Sequence, residues 1–163
     1  MSKCSRQLRS FSRTILLFLF VGCSVAYAQT RQEHVHHMGH SVMPFELTKT
    51  MHIFRMTETG GVQQVIVKDA AEKDQVVMVQ QHLKHEAQSF QRGNYSDPAS
   101  LHGADMPGLK ELQVGAKQIK VSYSDYPNGA EITFKTNNRR LLTAIHRWFG
   151  AQLSEHGADA RSE

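Results

Sequence analysis

Apolar residues alternate along two stretches of this chain and recur at helical spacing along two others. Met51 to Asp69 reads as a β-hairpin, because two β-rich runs flank the turn signal Thr57-Glu58-Thr59-Gly60-Gly61. With Gly60-Gly61 as the loop, Met56 faces Val65 and Phe54 faces Val67. These four make one apolar face with His52 at its edge, and Arg55 and Gln64 point the other way. From Asp74 to Gly93, Val76, Val79, Leu83, Ala87 and Phe90 fall on one helical stripe, and Gly93 is a stop signal.

A second hairpin is predicted over Ile119 to Lys135. Ile119, Val121 and Tyr123 alternate on one side of Pro127-Asn128-Gly129, and Ile132 and Phe134 return. Asn138 to His156 is then a second helix, with Leu142, Ile145, Phe149 and Leu153 on its stripe and Gly157 after it. Between the units, Asn94 to Gly115 reads as a loop with short turns, Leu109 and Leu112 sharing one helical turn.

The order is ββα, loop, ββα. Aligning Gly93 with Gly157 superposes His82 on His146, Ala87 on Ala151 and Gln88 on Gln152. The expected fold is α+β: two ββα units forming a four-stranded antiparallel sheet, covered on one face by two helices. About 110 ordered residues suffice for a single core.

The amino terminus has a different pattern. Residues 1–13 are polar and basic, Ile15 to Val21 is unbroken apolar sequence, and Ala26-Tyr27-Ala28 suits signal peptidase. Residues 1–28 are therefore expected to be a secretory signal peptide, too short in its apolar core to span a bilayer. Phe20-Val21-Gly22-Cys23 offers an alternative, lipobox-like cleavage that would leave a lipid anchor on Cys23. The expected location is the periplasm, without a transmembrane segment. Residues 29–43 read as a flexible tail, 44–157 as the single α+β domain and 158–163 as a frayed end.

Charge and cysteine content sharpen this picture. The chain of 163 residues has 19 Lys plus Arg against 15 Asp plus Glu. Lys3, Arg6, Arg9 and Arg13 lie in the leader, which has no acid, so the remainder balances at zero. Nucleic-acid binding is not expected, since it needs a cationic surplus. Cys4 and Cys23, the only cysteines, also lie in the leader. A metal site in the processed chain would have to use His, Met or carboxylate.

The tail supplies such ligands. His34, His36, His37 and His40 fall within seven residues, with Met38 among them and Met43 following. The segment resembles the His/Met-rich tails of exported copper-handling proteins. Imidazole suits Cu(II), Ni(II) and Zn(II), and thioether selects Cu(I). The leading expectation is thus a non-catalytic periplasmic protein that binds a metal ion, copper first, and buffers it or passes it to a partner protein.

Four other residues define a rival expectation. His146 lies about 55° from the centre of its helical stripe, near enough to be partly buried. The His102–Met106 loop could bring His102, Asp105 and Met106 to the same sheet–helix interface, making a pocket for a small ligand or partner. The bland alternative for His146 is donation to a backbone carbonyl. His82 lies about 100° from its own stripe and His85 nearly opposite, so both are expected to be solvated. Trp148 and Tyr123 read as packing groups. Nucleophilic catalysis has little support: no thiol remains, and Gly-x-Ser-x-Gly and phosphate-binding glycine loops are absent.

Several longer segments carry a family resemblance. They are the run from Met43 to Thr50, His52-Ile53-Phe54, Thr59 to Asp69, Tyr95 to Leu109, and Ala144-Ile145-His146-Arg147-Trp148-Phe149. Together they resemble a family of short exported proteobacterial proteins whose members carry the label aspartate carbamoyltransferase. The resemblance implies a transferase activity as a third alternative. It transfers no catalytic residue, because that enzyme's Ser-Thr-Arg-Thr loop is echoed only by Ser12-Arg13-Thr14 in the leader, and its His-Pro-x-Gln segment is absent.

Overall fold

The computed structural model describes residues 30–163; the predicted signal peptide and both cysteines lie outside the described residues. A helix over residues 30–42 (α1) comes first. The hairpin follows as β1 (Thr50–Thr57) and β2 (Gly60–Val67), then α2 (Lys73–Gln91). Two short helices, α3 (Ser96–His102) and α4 (Leu109–Gly115), occupy the region expected to be a loop. The second unit is β3 (Lys120–Tyr126), β4 (Gly129–Lys135) and α5 (Arg139–His156), and the chain closes with β5 (Ala160–Ser162).

The α+β class and the two ββα units are as expected, but the sheet has five strands and is mixed. Its order is β3-β4-β2-β1-β5, with β5 running parallel to β1. The segment expected to fray instead pairs Ala160 with His52 and Ser162 with Phe54. Gly157 takes φ of +56°, which turns the chain back after α5 and lays it along the edge of β1. An open edge strand is thereby covered.

The first hairpin buries Phe54, Val65 and Val67 on its predicted face, but Met56, expected with them, is exposed, and the pairing differs. The turn is Glu58-Thr59, so His52 pairs with Val65 and Phe54 with Gln63. The two glycines are strand residues: a side chain at Gly60 would run into the Phe134 carbonyl, and one at Gly61 into the Phe149 ring. The second hairpin turns at Pro127-Asn128 and pairs Val121 with Phe134 and Tyr123 with Ile132.

Each long helix covers the other unit's hairpin. On α2, Gln80 donates to the carbonyls of Tyr126 and Gly129, and Gln91 donates to that of Val121. On α5, Phe149 packs edge-on against Phe54 at 5.2 Å, and Asn138 caps the first turn by accepting from Arg140 and Leu141. Phe90, Tyr95, Phe134, Trp148 and Phe149 form the aromatic centre of the core.

The buried face of α5 is rotated by roughly 70° from the Leu142–Leu153 stripe, taking 100° per residue. Leu141, Ile145, Trp148, Gln152 and His156 point inward, while Leu142 and Leu153 are half-buried. The helix is wedged between the sheet and α4, so its inward direction is set by two neighbours and not by the sheet alone.

The segment expected to be a mobile tail is α1. Val35 and Met43 join the core, and Met38 and Val42 pack against it. Gly39 lets the helix come close: a Cβ there would lie 2.6 Å from Leu47 Cδ1. Val35, Gly39 and Met43 repeat every four residues, a narrow stripe that the surrounding imidazoles obscure in the sequence. Arg31 fastens the start of the helix by donating to Glu155 at 2.8 Å and to the His102 carbonyl at 2.6 Å; Gln32 donates to the Ser154 carbonyl. Among the described residues, no helix is long and apolar enough to cross a membrane.

Candidate functional site

Between the sheet and the helices lies a cavity of about 40 Å³ with an unusual number of polar walls. β1 and β2 contribute His52 and Gln63 from the covered face of the sheet. α2 contributes His82 and Glu86, four residues apart and so on one side of the helix. α3 brings Asp97 and His102, and the last two turns of α5 bring Gln152 and His156. Apolar side chains supply the rest of the lining, among them Val65, Leu83, Phe90, Ile132 and Trp148, with Val42 and Met43 from the end of α1.

The imidazoles are packed on one another. The His52 and His156 rings stack at 4.5 Å, and the His102 ring meets His156 edge-on at 5.1 Å. His102 is held by Glu155: its Nδ1–H donates to Oε2 at 2.8 Å, because a carboxylate can only accept. Burial alone would raise the Glu155 carboxyl, but hydrogen bonds from His102 and Arg31 outweigh it and hold the group below its ordinary range. Glu155 therefore ties α1, α3 and α5 together.

Burial pushes the other imidazoles toward the neutral form. His52 falls to about 3, from desolvation first and then the neighbouring His82 and His102. His82 falls to about 4, again from desolvation, with Asp97 opposing. His156 is held well below the usual imidazole range by its burial and by His52 and His102. Glu86 moves the other way. Desolvation, then the Asp97 charge and a hydrogen bond with Asp97, raise its carboxyl to about 8. At neutral pH Glu86 is an acid that donates to Asp97, and the pair shares one negative charge.

Four buried polar atoms on the lining residues lack a protein partner: His52 Nδ1, Gln63 Oε1, Gln152 Nε2 and His156 Nδ1. Trp148 Nε1, in the wall, is a fifth. Leaving such a group unpaired costs ~1–3 kcal/mol. The pocket can thus bind a small hydrogen-bonding molecule and can offer or accept a proton through the Glu86–Asp97 pair.

The predicted quartet does not converge here. His102 lies in the pocket wall, but His146 Nε2–H donates to the carbonyls of Gly60 and Thr57 at 2.9 and 3.1 Å, clamping the hairpin turn. It sits ten residues before His156, about 15 Å away along α5. Met106 is buried in the core, and Asp105 lies beside Gly103 and Arg31 outside the cavity. A pocket between sheet and helices exists, with a different lining.

Sequence reasoning missed His52, Glu86, Gln152 and His156 as a group. The signal was present for Glu86, which lies about 60° from the centre of its stripe, as close as His146 does to its own. His82, expected to be solvated, is half-buried against Phe45, with ring centroids 5.6 Å apart; His85 is exposed.

The proposed metal ligands divide by helix face. His34, His36, His37 and His40 are exposed, whereas Met43 is buried and Met38 half-buried against the core. The thioethers and imidazoles of this segment therefore do not form one ligand set. Among the described residues, no three His, Cys, Asp or Glu side chains come together to hold a metal ion. No known family, curated protein or solved structure matches this chain.

Proposed function

We propose that the protein binds a small uncharged or cationic hydrogen-bonding molecule in the pocket between its sheet and helices. The observation that carries this reading is the set of four partnerless buried polar atoms around one cavity. Buried polar groups are normally satisfied, and a binding site is where that rule is relaxed. The charge balance selects the ligand class. Burial holds His52, His82 and His156 toward the neutral form and the Glu86–Asp97 pair is negative, so this side of the site disfavours anions such as carbamoyl phosphate and aspartate. The volume admits a molecule the size of about three waters, or the polar tip of a longer one.

The proposed compartment is the periplasm, from the leader sequence. Metal handling belongs to a different surface, the solvent side of α1.

Thermal shift and calorimetry with ammonium, methylammonium, guanidinium, urea and acetamide, against acetate and phosphate, test the pocket. Saturable binding of one of the first five, lost in the Gln63→Leu/Gln152→Leu variant, is the expected result. If none binds, and that variant is as stable as the parent or more so, the polar lining serves only to hold structural water and the reading fails.

A further inference from the structure

A second site, independent of the pocket, lies on the outer side of α1. The helix buries Val35, Gly39 and Met43, and that choice of inner face fixes the outer one. Every imidazole of the segment faces solvent. Their spacing then matters. His36 and His40 are four residues apart, one turn of helix, where side chains of one ridge have Cβ atoms ~5–6 Å apart. Two histidines at this spacing can both direct ring nitrogens to one ion, as in helical zinc sites. His37 stands three residues from both His34 and His40 and so neighbours each, but only His36 and His40 have the i, i+4 spacing of helical zinc sites.

His36 and His37 both border a groove of about 420 Å³ between α1 and the stretch after α5. Glu33, one turn before His36, lines the same groove, as does Asp159 from the opposite bank.

We infer that His36 and His40 chelate a divalent transition-metal ion on the surface of α1, with water oxygens completing its coordination. The ligand set is nitrogen with oxygen, which suits Cu(II), Ni(II) and Zn(II) in preference to Cu(I). The affinity series places Cu(II) first. Two protein nitrogens leave the remaining positions to water, so the site is suited to buffering or handing on an ion and not to burying one permanently.

Isothermal titration of the purified protein with Cu(II), Ni(II) and Zn(II), with copper electron paramagnetic resonance, tests this. The expected result is one equivalent bound, with Cu(II) tightest. His36→Gln/His40→Gln should weaken binding at least tenfold, with the helical circular dichroism unchanged. His34→Gln/His37→Gln should stay within threefold of the parent, and Met38→Leu should leave binding unchanged. Equal losses from the two histidine pairs would mean adventitious binding by any exposed imidazole and would overturn the assignment. So would the absence of binding below 100 micromolar, or a Cu(I) preference abolished by Met38→Leu.

Discussion

The rings of His52 and His156 lie nearly parallel, 17° apart in orientation with centroids 4.5 Å apart, one at the start of the sheet and the other at the end of α5. Both are buried, and neither Nδ1 has a protein partner. Two imidazolium ions cannot share that space, so the contact requires neutral rings and couples the fold to pH.

The acid side follows from these rings and from His82. Their folded-state values are depressed, to about 3 for His52 and about 4 for His82, against ~6.5 unfolded. Between those limits the unfolded chain takes up protons that the folded chain refuses. Stability is therefore complete above about pH 6.5 and declines as pH falls toward 4. Urea unfolding at pH 7, 6, 5 and 4 should show a steady fall in midpoint, and His52→Asn/His156→Asn should flatten it.

On the alkaline side Glu86 acts with the opposite sign. Its folded value, about 8, exceeds its unfolded one, so its protonated form stabilises the fold fully below about pH 4.5, and that contribution is lost as pH rises through 8. Glu86→Gln keeps an amide that can donate to Asp97 and removes the titration. The variant should gain ~2–4 kcal/mol relative to the parent at pH 9 over its difference at pH 5, measured by the same unfolding curves.

Docking of α1 depends on Glu155 and Gly39. Arg31→Met removes the donor to Glu155 and to the His102 carbonyl, and Gly39→Val places methyl groups against Leu47. Each should destabilise by ~1–3 kcal/mol and speed proteolysis within residues 30–42. Limited thermolysin digestion, which can cut before Val35, Met38 and Val42, followed by mass spectrometry reads the effect directly.

His146 separates structure from binding. Its ring holds the Thr57 and Gly60 carbonyls, so His146→Ala should cost ~1–3 kcal/mol. The same variant should leave pocket ligands and metal affinity unchanged, because the residue touches neither site.

The architecture was legible where one periodicity acted alone. Both hairpins, both long helices and the Asn138 start follow from alternation, turn residues and helical spacing. The pocket was not legible, because its walls come from seven elements separated by more than a hundred positions at the extremes, and no local pattern relates His52 to His156. Gln88 and Gln152 align in the internal repeat, yet one is exposed and the other buried. Likewise α1 was hidden because four conspicuous imidazoles drew attention from the three small or apolar residues that dock it.

Since α2 lies over the second hairpin and α5 over the first, neither ββα half possesses a cover of its own. A fragment containing only one of them has an uncapped greasy sheet and an orphan helix. The two halves should therefore be soluble and ordered only together, and a polypeptide emerging from a ribosome or threading a translocation pore holds no stable module until both are free. Such interlocking delays folding to the last step and makes it all-or-none.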